Sequence, residues 1–212
     1  MIQRTWTTPI YELMETLTCR VRVLSLAHIY QGWADQFGSS GRVVDAIQRL
    51  VDAGLIVGDV WDLPASPIGN EPLAVWTPQN AAPNFVQIAD VVRSRWNGSP
   101  TPTPIVAATH RAARLFGSSA GGLPPTNYRN HDLLLAGVYA RYRNVEPELA
   151  ASWLGEDAVA IAERGVKNPD AFLFDGEGNV TRVIESAGRY SLDQIESFHR
   201  HCQSAELPYE LW

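Results

Sequence analysis

Two apolar runs near the C-terminus carry the residues best suited to chemistry. The segment KNPDAFLFDGEGNVTRVIESAGR (167–189) sets Pro169-Asp170 at the start of one run and Glu185-Ser186-Ala187 at the end of the next. The intervening DGEGN has the composition of a hairpin turn. An antiparallel pair would bring Asp170 and Glu185 side by side, and two such carboxylates can hold Mg²⁺ through oxygen ligands. The ion would polarise a phosphodiester and help generate hydroxide. A lysine two residues beyond the second acid would then orient the attacking water and neutralise developing charge. Ala187 stands at that position.

Asp170 and Glu185 match the first two parts of the PD-(D/E)XK nuclease pattern, and are the catalytic candidates if the chain is active. Asp132, following His131 in a helical run, would complete a metal set of Asp132, Asp170 and Glu185. Lys167 is the only lysine and precedes the first strand instead of facing Glu185. Arg189 lies two residues past Ala187, but a guanidinium is a poor proton-transfer base. Gln194, on the next helix, is another stand-in. The competing reading makes Asp170 a strand-start residue and Glu185 a solvated strand residue. His131 is either a helix-start cap or packing residue or a group that positions phosphate. His199 and His201, two apart on a helix, point to different faces and make poor joint ligands.

The elements that would position these groups follow from periodicity. NHDLLLAGVYARYR (130–143) predicts a helix with Asn130 as candidate cap, and WLGEDAVAIAER (153–164) a second helix or an irregular cover. The hairpin covers 169–174 and 181–186, SLDQIESFHRHCQSA (191–205) is a helix capped by Ser191, and PYELW (208–212) is a final strand beside the hairpin. Upstream, helix 9–17, strand 19–25 and helix 24–34 precede a Ser-capped helix over 40–53 that Gly54 closes. Strands 55–63 and 73–78 are predicted to pair, and FVQIADVVRSRW (85–96) is amphipathic through Phe85, Ile88, Val91 and Val92. NGSPTPTP reads as an extended break. The predicted organisation is α/β (α+β): residues 1–97, a linker at 98–104, and a small α/β unit over 105–212.

Helix, strand, helix, turn, helix, hairpin is the order of a winged helix, and AIQRLVDAGLI resembles the end of its recognition helix passing into the wing. That resemblance covers roughly residues 9–78. It implies that helix 40–53 enters the major groove of double-stranded DNA while the hairpin loop touches the backbone or minor groove. Ser39, Ser40, Arg42, Gln48 and Arg49 are the candidate contacts, with Asp45 and Asp52 opposing phosphate. A longer resemblance joins "NHDLLLAGVYARYR", "WLGED" and the segment 167–202 to the C-terminal part of plasmid replication–relaxation proteins. It implies a winged helix followed by a restriction-endonuclease-like fold, and DNA-linked work on a plasmid or mobile element: replication, mobilisation or transcription control. Ala187 argues that the nuclease-like part is inactive. The alternatives are an active Mg²⁺-dependent endonuclease or nicking enzyme, and a protein–protein adaptor.

Composition bounds these readings. The 212 residues are 45% hydrophobic, with net charge −6 and a pI near 5.3. A broad phosphate-binding surface would be basic, so any DNA contact must rest on a local arginine patch. No apolar run is long enough to cross a membrane, and no charged n-region precedes an apolar core. Two distant cysteines form no zinc motif. A cytoplasmic homodimer is expected, with no resident cofactor unless the nuclease alternative supplies Mg²⁺.

Overall fold

A computed structural model describes residues 7–64, 71–159 and 168–212. The chain is a mixed α/β protein built on two sheets with one long helix between them. Among the described residues no helix is long and apolar enough to cross a membrane.

The first layer starts with α1 (Thr8–Glu15), whose first turn contains Pro9 and whose inner face buries Leu13 and Met14. The strand expected at 19–25 begins only at Val23, because Thr16–Arg20 continue the helix as a wide π-helical turn. Thr18 Oγ1 donates to the Met14 carbonyl at 2.7 Å within it. Arg20 then donates to the carbonyls of Ala150, Ala151 and Trp153. Gly155 lies against this turn so closely that an added Cβ would sit 2.6 Å from the Arg20 carbonyl oxygen.

Ser25 ends β1 (Val23–Ser25) and caps α2 (Leu26–Phe37) through a reciprocal bond pair with His28. Ser39 caps α3 (Ser40–Asp52), and Gly54 reverses the chain at φ +65°, as the sequence predicts.

The predicted hairpin between 55–63 and 73–78 does not form. Strand β2 (Ile56–Pro64) pairs along its whole length with β4 (Pro100–Ala108), which also pairs with β1, giving the antiparallel order β1-β4-β2. Strand β3 (Ala74–Trp76) instead edges the second sheet. The linker predicted at 98–104 is therefore the outer half of a strand. Proline lacks an amide hydrogen, and successive residues of a strand direct their amides to opposite sides. Pro100, Pro102 and Pro104 share one side, so the amides of Thr101, Thr103 and Ile105 can all serve the ladder to β2. The prolines face the side that β1, reaching only to Ile105, leaves uncovered. Proline on an open edge blocks further pairing.

The second sheet has the order β3-β8-β7-β6-β5, with β5 (Trp153–Gly155), β6 (Ala171–Phe174), β7 (Val180–Glu185) and β8 (Tyr209–Leu211). Among the described residues only the β7–β8 pair is parallel, since α8 (Leu192–Ser204) crosses between them. Trp153–Gly155, expected to open a second helix or an irregular cover, is an edge strand among the described residues. The hairpin of β6 and β7 around DGEGN matches its expectation.

Helix α6 (Arg129–Val145) packs between the sheets, touching α2 and β1 on one side. Leu135, Val138 and Tyr139 share a core with Trp33, Trp61 and Ile105 as well as with Leu173 and Ile184. The opposite face of the second sheet is covered by α8 and by α4 (Phe85–Ser94), which buries Ile88 and Val92 there. The expected boundary at 98–104 is thus crossed in both directions: β3 and α4 complete the C-terminal sheet, while β4 is the centre of the N-terminal one. Of the amphipathic stripe of 85–96, Ile88 and Val92 are buried inside the chain, and Val91 is exposed.

The proline phase yields a test. Thr103→Pro removes a ladder donor and should destabilise the chain by roughly 1–3 kcal/mol, whereas Pro102→Thr should cost less than about 1 kcal/mol. Urea unfolding of both variants reads the difference; equal losses would refute the assigned phase.

Candidate functional site

Asp170 precedes β6 and Glu185 ends β7, so the hairpin sets them next to one another at one end of the sheet. Both are buried, at 1% and 2% exposure, which removes the reading of Glu185 as a solvated strand residue. The Asp170 amide donates to Glu185 Oε2 at 3.1 Å, and the Ser186 amide donates to Asp170 Oδ2 at 2.8 Å. The Tyr190 hydroxyl donates to Glu185 Oε1.

The first turn of α6 brings His131 and Asp132 to the same place. The His131 ring bridges two acids: Nε2 lies 2.9 Å from Asp170 Oδ2 and Nδ1 lies 3.1 Å from Asp132 Oδ1. Burial disfavours the charged ring, but the hydrogen bonds and charges of Asp132 and Asp170 outweigh it and push its pKa up to about 10. At neutral pH His131 is an imidazolium donating to both carboxylates. It is neither a helix cap nor a free phosphate ligand, and Asn130 lies inside α6 with Tyr128 at the cap position.

Arg22, from the segment before β1, closes the cluster. Its Nε and Nη2 form a two-pronged pair with Asp157 at 2.6 and 3.0 Å, while Nη2 also lies 3.0 Å from Glu156. Nη1 lies 3.9 Å from Asp132 Oδ1. A cavity of about 20 Å³, lined in part by Arg22, His131, Asp132 and Asp170, lies among these groups and has room for about one water.

Asp132, Asp170 and Glu185 are therefore linked in series, not gathered around one point. Among the described residues no three His, Cys, Asp or Glu side chains form a group that could hold a metal. The residues fit Mg²⁺ poorly for a physical reason: Asp132 Oδ1, Asp170 Oδ2 and both Glu185 oxygens already accept from His131, backbone amides or Tyr190, while Asp132 Oδ2 is buried with no hydrogen-bond partner among the described residues. A second cation between Asp132 and Asp170 would also meet the imidazolium. Ala187, at the usual lysine position, is fully buried among Val183, Ile195 and Cys202, and its amide donates to the Trp212 carbonyl at 2.7 Å. Gln194 is spent on the Ser191 cap of α8, and Arg189 lies over the Trp96 ring. Lys167 lies outside the described residues.

The second candidate surface is α3. Ser39, Ser40, Arg42, Gln48 and Arg49 are all exposed, as are Asp45 and Asp52. Ser39 caps the helix, Gln48 donates to Asp52 at 2.8 Å, and Arg49 donates to the Asp45 carbonyl at 3.1 Å. Among the described residues neither Arg42 nor Arg49 has a carboxylate within ion-pair distance. That separates them from Arg20, Arg22, Arg93, Arg129, Arg141, Arg143, Arg182 and Arg200, each of which is so paired.

Sequence reasoning missed Arg22, Ser186 and Tyr190. Alternation in CRVRVLS marked Arg22 as strand-facing, but nothing local signals a partner at Asp157. Comparison of the chain with protein-family models, curated proteins and solved structures returns no match.

Protonation of His131 makes stability depend on pH. Its folded pKa, near 10, exceeds the ordinary 6.5, so the stabilisation is complete below about 6.5 and disappears as pH rises through 10. The stability gap between the unmutated chain and His131→Ala should narrow steadily from pH 6.5 to 10, by thermal unfolding. A constant gap across that window would show that His131 is not charged in the fold.

Proposed function

We propose that this chain binds double-stranded DNA through a winged helix in which α3 is the recognition helix. We propose further that its restriction-endonuclease-like half is a scaffold without nuclease activity. The observation that carries the reading is the exposed face of α3, whose arginines Arg42 and Arg49 are free of carboxylate partners in an otherwise acidic protein. The order β1-β4-β2 behind α2 and α3 supports it, because that antiparallel sheet fixes α3 at the surface. Helix α6, the meander β5–β6–β7, α8 and the parallel β8 support the second half of the proposal. Its carboxylates hold the helix to the sheet instead of holding an ion.

This reading places the protein in the cytoplasm, in the replication, mobilisation or transcription control of a plasmid or other mobile element. Homodimerisation belongs to it, since two copies present two recognition helices to one duplex. Val86 and Val91, exposed on α4, are the apolar residues available for that contact. The adaptor reading draws on the same α3 face, where Val44 and Val51 are exposed between the charges.

Binding to the duplex upstream of the protein's own coding sequence tests the proposal by electrophoretic shift. Arg42→Ala with Arg49→Ala should weaken binding at least roughly tenfold and lower the salt slope by about 2. Failure of the unmutated chain to bind any duplex would favour the adaptor. Incubation of supercoiled and single-stranded DNA with Mg²⁺ or Mn²⁺ should give no cutting. Cutting that disappears in both Asp170→Ala and Glu185→Gln would establish the nuclease instead.

A further inference from the structure

The paired strands β2 and β4 beside α3 do not provide the phosphate contact expected of a wing. Residues 56–64 and 100–108 contain no lysine or arginine, and they carry Asp59 and Asp62. Asp59 is committed within the fold, accepting from the Val60 amide at 2.8 Å and from Trp61 Nε1 at 2.9 Å. Another element next to α3 is basic. Helix α5 (His110–Leu115) follows β4 at once, and the stretch 109–117, THRAARLFG, contains two arginines and no acid.

Among the described residues six arginines have no carboxylate within ion-pair distance: Arg42, Arg49, Arg95, Arg111, Arg114 and Arg189. Arg95 is partly buried, and Arg189 is exposed but lies over the Trp96 ring. The other four are also exposed, and they lie on α3 and α5. The two helices are joined at one end. Thr109, the cap of α5, donates from Oγ1 to the Gly54 carbonyl at 2.9 Å and from its amide to the Leu55 carbonyl at 2.9 Å. Arg111 Nη1 donates to the Ala53 carbonyl at 3.1 Å, just past the last turn of α3.

We infer that α5 takes the place of the wing: Arg111 and Arg114 contact the phosphate backbone of the duplex that α3 reads. This rests on the DNA-binding proposal and adds a second contact surface to it. Arg111 has an independent structural duty as the hydrogen-bond donor to Ala53, so its loss confounds folding with binding. The Arg114 side chain makes no hydrogen bond or ion pair among the described residues, so Arg114 is the cleaner probe. As a phosphate contact it contributes affinity without sequence preference, and releases about one counterion.

The full chain is titrated against two duplexes of unrelated sequence by fluorescence anisotropy over a series of salt concentrations, with circular dichroism to confirm the fold. Arg114→Ala should weaken binding to both duplexes by a similar factor, roughly threefold to tenfold, and lower the salt slope by about 1. Arg114→Glu should weaken it further, and Arg114→Lys should restore most of it. Unchanged affinity and slope in Arg114→Glu, with binding still lost in Arg42→Ala/Arg49→Ala, would overturn the role of α5 and leave the α3 reading standing. No binding by the unmutated chain to either duplex would overturn both.

Discussion

The fold depends on α6 being buried on nearly all sides. Leu134 through Ala140 are buried without interruption, and Tyr142 follows. A helix apolar all round must lie inside a protein, in contrast to an amphipathic helix that needs only one covered face. Both sheets pack against it, so its axis is set twice. Its N-terminal turn then arrives beside the ends of β6 and β7, and polar chemistry has to be reconciled there. Burying a lone carboxylate costs several kcal/mol. Charge-assisted hydrogen bonds return about 1.5–3 kcal/mol each, and Asp170 receives one from Ser186 and one from His131. The imidazolium supplies a cation from within the chain to two acids at once. Arg22 does the same from the other layer, through Asp157, Glu156 and Asp132.

The exchange of segments between layers reinforces this arrangement. Residues after β2 leave the first sheet, edge and cover the second through β3 and α4, and return as the central strand of the first. Neither sheet is complete without chain that the linear order assigns to the other. Arg129 adds a direct tie, with its guanidinium over the Trp61 ring of β2 and Nη2 3.5 Å from Asp59. The same turn of α6 therefore grips both the first sheet and the carboxylates of the second.

Charge is distributed accordingly. Net charge −6 describes the average, and an average says little about a surface where most arginines are neutralised by near neighbours. What distinguishes α3 and α5 is not a high count of basic residues but the absence, among the described residues, of carboxylate partners for those they have.

Local elements were legible because their signals are local. Ser25, Ser39 and Ser191 cap helices through bonds within three residues, Gly54 ends α3 with a positive φ, and DGEGN turns between two alternating strands. The adjacency of Asp170 and Glu185 followed from that turn. Pairing over distance was not legible. PTPTPIV carries a period of two that suits an edge strand, but prolines without a known partner read equally well as a linker; β2 supplied the partner and the meaning. Likewise Asp132, Asp170 and Glu185 offered a metal set by residue type, while their hydrogen-bond donors come from α6, the end of β7 and Tyr190. The sequence by itself determined the helix caps, the DGEGN turn and the apolar stripes, because those choices are settled within a few residues. Tertiary structure alone decided which strands pair, which arginines stay unpaired and whether the carboxylates face a cation of the chain's own, because each depends on groups dozens of residues away.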